Sequence, residues 1–348
     1  MRGTGRLHDL ARVASSEPRL LPRALSHLDD VQVASQLDVL DASVQDVVLV
    51  ALGAARRPGV LEHMRLEAAA SLVARIAPEQ AAALLEELEL DDVTDILQQL
   101  DPERLRDLLS RLDPEDIEEV EELLTYDPSS AGGLMTPETV SVPDEVTVAE
   151  ALRIVQETQD LPDQVFYVYV VDEDERLVGV TSLRMLVTRG PDLPIREVMR
   201  TSLVSVSVDT DQEEVAHIVS RYDVVSVPVV DAQGCLLGVV TVDDVVDVLR
   251  EEATEDILKM AGAGEAITDT QSFGASFKAR FPWLMAAAIG GLFVASSLSG
   301  FEDALRAVPV LALFMPVVAG MGGNVGTQSS TIVVRGLAVR QIVTRVLV

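Results

Sequence analysis

Two groups of residues in this chain have types and spacings that can do chemistry. The first is carboxylate. In Asp91-Asp92-x-x-Asp95 the outer pair is four residues apart, which places Asp91 and Asp95 on one face of a helix. Oxygen donors spaced in this way suit a hard divalent cation. Other acidic runs, such as Glu115 to Glu122, read as solvated helix faces. The second group sits in the uncharged stretch from Val308 to Val334, where Gly320, Gly322, Gly323 and Gly326 surround Asn324, Thr327, Gln328, Ser329 and Ser330. The stretch is long enough to cross a hydrocarbon core of about 30 Å. Polar groups at that depth need partners, and glycines allow close approach. Periodicity leaves two readings open: a Gly-x-x-x-Gly helix contact through Gly322 and Gly326, or a path lined by amides, hydroxyls and carbonyls. Asn324 and Gln328 share a helix face, which favours the lined path.

The elements that must position these groups fall into order along the 348 residues. The charge is uneven: residues 1–261 hold 53 acidic and 21 basic side chains, the remainder four and six. An acidic surface of this size attracts cations and rejects nucleic acid. The single cysteine, Cys235, excludes an internal disulfide and suits a reducing cytoplasm. The arginines near the start are followed by no apolar core segment, so no signal peptide is expected.

Residues 1–24 read as a loosely held lead-in. Residues 25–130 repeat an apolar pair every twelve positions, from Leu25/Leu28 and Leu37/Leu40 through Leu97/Leu100 to Leu109/Leu112. Asp101-Pro102 and Asp113-Pro114 supply N-caps and first-turn prolines. Units this short cannot bury their own apolar faces, so they must stack into an α-superhelix.

After Ser129-Ser130-Ala131-Gly132-Gly133 a different repeat begins. Tyr167-Val-Tyr-Val-Val-Asp172 recurs as Ser226-Val-Pro-Val-Val-Asp231, and Leu177-Val-Gly-Val-Thr181 as Leu236-Leu-Gly-Val-Val240. This predicts two α+β modules, 131–197 and 198–250, then a connecting helix over 251–278. The membrane part, 279–348, is expected to hold two spans, the first from Phe281 to Phe301. Lys278, Arg280, Arg335, Arg340 and Arg345 flank the spans and put both ends in the cytoplasm. The expected class is a multidomain membrane protein: superhelical domain, α+β module pair, connecting helix and transmembrane α-helices.

The paired modules resemble cystathionine-β-synthase-type (CBS) modules. The resemblance implies an adenine nucleotide, possible at Thr241 and Asp244 of Gly238-x-x-Thr241-x-x-Asp244, whereas the first copy has Met185 at the matching place. The run GGNVGTQSSTIVVRGLA resembles the second span of the MgtE family of magnesium channels and transporters, and the order of the preceding regions matches that family too. The resemblance implies a homodimer in the cell membrane with a large cytoplasmic N-terminal part. It also implies import of Mg²⁺ down its gradient, and closure when internal Mg²⁺ is sensed. The sensing ligands it implies are Asp91, Asp95, Glu213, Asp223, Asp244, Asp247, Glu252, Glu255 and Asp256, with a backbone carbonyl from Gly133. Gly322, Gly323, Asn324, Gly326, Thr327 and Gln328 would line the pore.

One departure stands out. The family has five spans, with an ion-selecting carboxylate on a later one, while this chain has room for two, neither containing Asp or Glu. It is expected to be the front portion of a longer transporter. The competing reading is a membrane-tethered Mg²⁺ or nucleotide sensor that conducts nothing. An enzyme is not expected: His8, His27, His63 and His217 are scattered, and neither a nucleophile triad nor a P-loop is present.

Overall fold

The computed structural model describes residues 10–158, 166–260 and 273–338, and the chain divides into two units, Met1–Val246 and Asp247–Val348. The first unit opens with short helices: α1 (Leu10–Ser16), α2 (Leu21–Leu25), α3 (Asp30–Leu37), α4 (Ala42–Ala51), α5 (Arg57–Glu62), α6 (Leu66–Arg75), α7 (Pro78–Leu85), α8 (Leu90–Gln98), α9 (Pro102–Leu109) and α10 (Pro114–Leu123). From Asp30 onward the starts at residues 30, 42, 66, 78, 90, 102 and 114 keep the twelve-residue period. At the one missing start, 54, a 3₁₀ turn (Ala54–Arg56) leads into α5. Helices pack mainly two places apart, α5 on α7, α6 on α8, α7 on α9 and α8 on α10, as stacked units must. The first members of the apolar pairs, from Leu25 to Leu97, are buried, but in the last unit Leu108 takes the core position and Leu109 is half-buried.

The lead-in is not loose over its described part. Leu10, Val13, Leu21 and Ala24 are buried, and the Leu10 amide donates to Gln36 Oε1 at 2.9 Å. Residues 1–9 lie outside the described residues.

A longer repeat lies over the short one. The Arg56 guanidinium donates to the carbonyls of Leu25 (2.9 Å) and Leu28 (2.8 Å), and Arg104 donates to those of Val73 and Ile76, both at 2.7 Å. The two clamps sit 48 residues apart and reach back by the same intervals. Each closes the orphan carbonyls at a helix C-terminus, which a short helix cannot satisfy alone.

The chain then folds two three-stranded sheets. In the first, β1 (Ser141–Pro143) runs parallel to β2 (Tyr167–Val171), which pairs antiparallel with β3 (Leu177–Ser182). In the second, β4 (Val206–Ser207), β5 (Ser226–Val230) and β6 (Leu236–Thr241) repeat the arrangement, with a register irregularity at the same place, Val170/Val171 and Val229/Val230. Around the sheets lie α11 (Ala131–Leu134), α12 (Val148–Glu157), α13 (Leu183–Thr188), α14 (Ile195–Val198) and α15 (Gln212–Tyr222).

The two modules are knitted together through equivalent residues. The Leu177 amide donates to Gly234 O at 2.9 Å, and the Leu236 amide to Glu175 O at 3.2 Å. Each module also lends its leading segment to the other. Thr136 exchanges backbone hydrogen bonds with Val239 on β6, and Arg200 exchanges them with Val180 on β3. A side chain at Gly238 would strike Met135 and Thr136 O, and one at Gly179 would strike Met199. The glycines of the repeated Gly-x-x-Thr/Ser motif therefore serve close packing. The boundary expected at 197/198 cuts through a reciprocal exchange.

Helix α16 (Val242–Met260) follows β6. The second unit contains α17 (Phe273–Ser299), α18 (Glu302–Ala307) and α19 (Val310–Ala338). Arg280–Ser299 of α17, with a mean hydropathy of 1.7, is among the described residues the one helix long and apolar enough to cross a membrane, where the sequence predicts two. It ends two residues short of Phe301, because Gly300 and Phe301 turn back onto Ser297 and Leu298. Helix α19 is 29 residues long and continuous, with its C-terminal half made less apolar by Asn324, Thr327, Gln328, Ser329 and Ser330.

Candidate functional site

The N-terminus of α8 concentrates negative charge. Glu89 is its N-cap and Asp91 and Asp92 fill its first turn. A helix N-terminus favours carboxylates, by about 0.3–1 kcal/mol each at an exposed site. Here burial and like charge outweigh that. Asp91 is 9% exposed, and its Oδ1 is buried without a hydrogen-bond partner. Its carboxyl is held well above the usual range, first by burial, then by the charge of Asp244 and of Asp92 and Glu89. Asp92 is pushed up to about 8 by burial and by Asp244, Glu62, Asp95 and Glu89. Glu89 is raised to about 7 by burial and by Glu138, Asp243, Asp244 and Glu62.

Asp244 is the common member. It lies in the first turn of α16, where it accepts a 2.6 Å hydrogen bond from Thr241 Oγ1. The structure thus brings Asp91 and Asp244 into one field, and Asp95 joins it through its effect on Asp92. Sequence reasoning missed Glu62, Glu89, Asp92, Glu138 and Asp243. Glu89 and Asp92 were legible as neighbours of Asp91, while Glu62 and Glu138 come from distant turns that only the fold brings near.

The other expected ligands are not gathered here. Gly133 is buried in α11, where its amide donates to Ser130 O at 3.0 Å, and a Cβ there would strike the backbone of Asp127 and Pro128. Glu213 and Asp223 occupy the two ends of α15, both exposed. Ten residues of helix rise by about 15 Å, so within one chain they do not chelate a single ion. Glu213 faces His217 at 3.5 Å, and Asp223 is a left-handed C-cap with φ of 51°. On α16, Asp247 is exposed and pairs with Arg250 at 2.8 Å, while Glu252 and Glu255 are half-buried. The side chain of Asp256 lies outside the described residues. Among the described residues no group of three or more His, Cys, Asp or Glu is arranged to hold a metal ion. The α8 site is accordingly a concentrated field of carboxylates rather than a finished cage.

Gly322, Gly323, Asn324, Gly326, Thr327 and Gln328 all lie on α19 and are exposed. Among the described residues nothing beyond the helix's own local backbone lies within 4 Å of the place where a Cβ of Gly322 or Gly326 would stand, so the Gly-x-x-x-Gly contact is not made among them. Thr327 Oγ1 donates to Gly323 O at 3.1 Å, satisfying itself along its own helix.

Residues 28–129 match the MgtE intracellular N domain, 131–191 and 195–251 match CBS domains, and 315–347 match a divalent cation transporter domain. The magnesium transporter MgtE of Thermus thermophilus is 45% identical over 226 residues, covering 64% of this chain and 50% of that protein. The Bacillus subtilis magnesium transporter MgtE is 42% identical over 220 residues, covering 63% and 49%. The crystal structure of the cytosolic domain of the Mg²⁺ channel MgtE in complex with ATP superposes with a TM-score of 0.64 at 39% identity, covering 70% of this chain and 99% of that one. The chain belongs to the MgtE family. It spans about half the length of the curated MgtE relatives it matches. Those relatives are transporters, not enzymes, and the helical domain with its CBS pair is the architecture of the MgtE cytosolic domain.

Proposed function

We propose that this chain is the sensing part and the first membrane helices of a channel or transporter that imports Mg²⁺ down its electrochemical gradient and is closed by internal Mg²⁺. The observation that carries the reading is Asp91: a buried carboxyl with an unpartnered oxygen, set against Asp92, Glu89 and Asp244. Proteins seldom leave such a group unsatisfied, because the cost is about 1–3 kcal/mol or more for a charged one. A divalent cation among these carboxylates supplies the missing partner and cancels the repulsion. The raised proton affinities express the same demand for positive charge.

In this account Mg²⁺ draws the α8 carboxylates toward those at the start of α16. The change passes along the connecting segment 251–278 to the membrane part, where it closes the path. Asp91, Asp95 and Asp244 are the ligands this geometry supports best. Glu213, Asp223, Asp247, Glu252, Glu255, Asp256 and the Gly133 carbonyl remain further candidates. The path is lined by Asn324, Gln328 and their glycine neighbours, and is completed by a second copy of the chain in the cell membrane, with the acidic part in the cytoplasm.

A solved relative holds ATP, which supports an adenine nucleotide at Thr241 and Asp244. Asp244 would then serve both the nucleotide and the cation field. The test is inhibition by internal Mg²⁺ in membrane recordings of the complete protein. Asp91→Ala combined with Asp244→Ala should weaken that inhibition. Unchanged Mg²⁺ sensitivity would overturn the assignment.

A further inference from the structure

Helix α17 starts two turns before its membrane-crossing stretch, and the junction has a character of its own. Phe277, Phe281 and Leu284 follow at steps of four and three, so they share one stripe of the helix, and they are 53%, 46% and 55% exposed. The rings of Phe277 and Phe281 lie 5.4 Å apart along that stripe. Lys278 and Arg280 flank it on opposite sides, and Trp283 stands one turn beyond Arg280. Both cations are exposed, and among the described residues neither is held by an ion pair. We propose that this turn of α17 binds the headgroup of an anionic phospholipid in the cytoplasmic leaflet, with Lys278 and Arg280 on the lipid phosphate.

Three features select this partner. The apolar stripe is continuous with the span Arg280–Ser299, so whatever meets the cations must tolerate an acyl phase beside them. Phenylalanine and tryptophan rings at such a level suit the boundary between headgroups and hydrocarbon, and long basic side chains lay their stems on apolar surface while the charge stays wet. Pro282 lies inside the helix and lacks the amide that would bond the Lys278 carbonyl. A carbonyl freed in this way needs water, which is present at headgroup depth and absent from the bilayer core.

Charge then decides which lipid. A zwitterionic headgroup presents its own ammonium group to Lys278 and Arg280, whereas an anionic one leaves its phosphate unopposed. Residues 1–261, with 53 acidic and 21 basic side chains, are repelled by an anionic leaflet. The pair at the head of α17 supplies an attraction of the opposite sign next to the bilayer. The proposal rests on α17 spanning a membrane and is independent of Mg²⁺ sensing.

Trp283 is the only tryptophan in the chain, so its fluorescence reports on this turn alone. The test places the full chain in vesicles of equal parts phosphatidylglycerol and phosphatidylcholine, with bromine on the acyl chains of one lipid or of the other. Brominated phosphatidylglycerol should quench Trp283 more strongly, with a preference of about fivefold for each cation near the surface. Lys278→Gln with Arg280→Gln should abolish the preference, and Lys278→Arg with Arg280→Lys should keep it. If the uncharged variant does not insert, about 1 M NaCl should abolish the preference of the unsubstituted chain by screening. Inorganic phosphate at constant ionic strength should leave the quenching unchanged, and its loss would overturn the assignment to a lipid. Equal quenching by the two lipids, or a preference that survives both the uncharged variant and high salt, would overturn the proposal while leaving the span intact. Quenching by neither lipid would place Trp283 outside the bilayer and overturn the membrane reading of α17 along with it.

Discussion

At the scale of single residues the decisive competition is between burial and charge. Asp91, Asp92 and Glu89 all have folded-state proton affinities above their ordinary values, Asp92 near 8 and Glu89 near 7. The folded state therefore holds more protons than the unfolded one, and stability must fall as pH rises. The stabilisation is fully present below the ordinary carboxylate range and is lost as pH rises through about 7 to 8. In metal-free buffer the midpoint of thermal unfolding should decline across that window, and saturating Mg²⁺ should flatten the decline. Asp91→Asn removes the charge while keeping the shape. It should raise stability at pH 8 without Mg²⁺ by about 1–2 kcal/mol and reduce the stabilisation that Mg²⁺ confers. A variant less stable than the parent, with an undiminished Mg²⁺ response, would show Asp91 to be an ordinary packed polar group. A smaller test concerns Glu175, whose φ of 61° lies where its counterpart Gly234 has 87°. Glu175→Gly should stabilise by about 0.5–1 kcal/mol, read from denaturant midpoints.

At the scale of elements, the periodic parts were legible and the long-range ones were not. A twelve-residue apolar rhythm with Asp-Pro caps predicts the helix starts, and Asp101 caps α9 by accepting from the Glu103 and Arg104 amides at 3.0 Å. The 48-residue spacing of Arg56 and Arg104 was present in the sequence, but an isolated arginine carries no sign of which carbonyls it will reach. Arg104→Ala should cost about 2–3 kcal/mol, because two C-terminal carbonyls lose a charged donor, and chemical denaturation measures it. The exchange of leading segments between the CBS modules was hidden for a related reason. The repeat Leu134-Met-Thr-Pro137 and Val198-Met-Arg-Thr201 shows equivalence, not which sheet each segment joins. The acidic field had the same limit: Asp91 and Asp95 share a face by spacing alone, whereas Glu138 and Asp244 approach α8 only through the fold. In the membrane part, Asn324→Leu tests path against packing. It should leave thermal stability nearly unchanged and cut Mg²⁺ flux in the complete protein. A loss of about 0.6–2 kcal/mol with normal flux per folded molecule would instead identify helix–helix glue.

At the scale of the whole molecule, residues 1–261 carry an excess of acid that their single lysine and their arginines cannot neutralise. Such a body is compact only as far as burial outweighs self-repulsion, and a divalent cation shifts that balance by mass action. The central claim is that this acidic part responds to Mg²⁺ specifically and not to ionic strength alone. Small-angle scattering of residues 1–261 tests it most directly, with and without millimolar Mg²⁺ at constant ionic strength so that general screening is the same in both samples. The account predicts a smaller radius of gyration with Mg²⁺, and a weaker contraction when Asp91 and Asp244 are changed to Ala. Superimposable profiles with and without Mg²⁺ would contradict it.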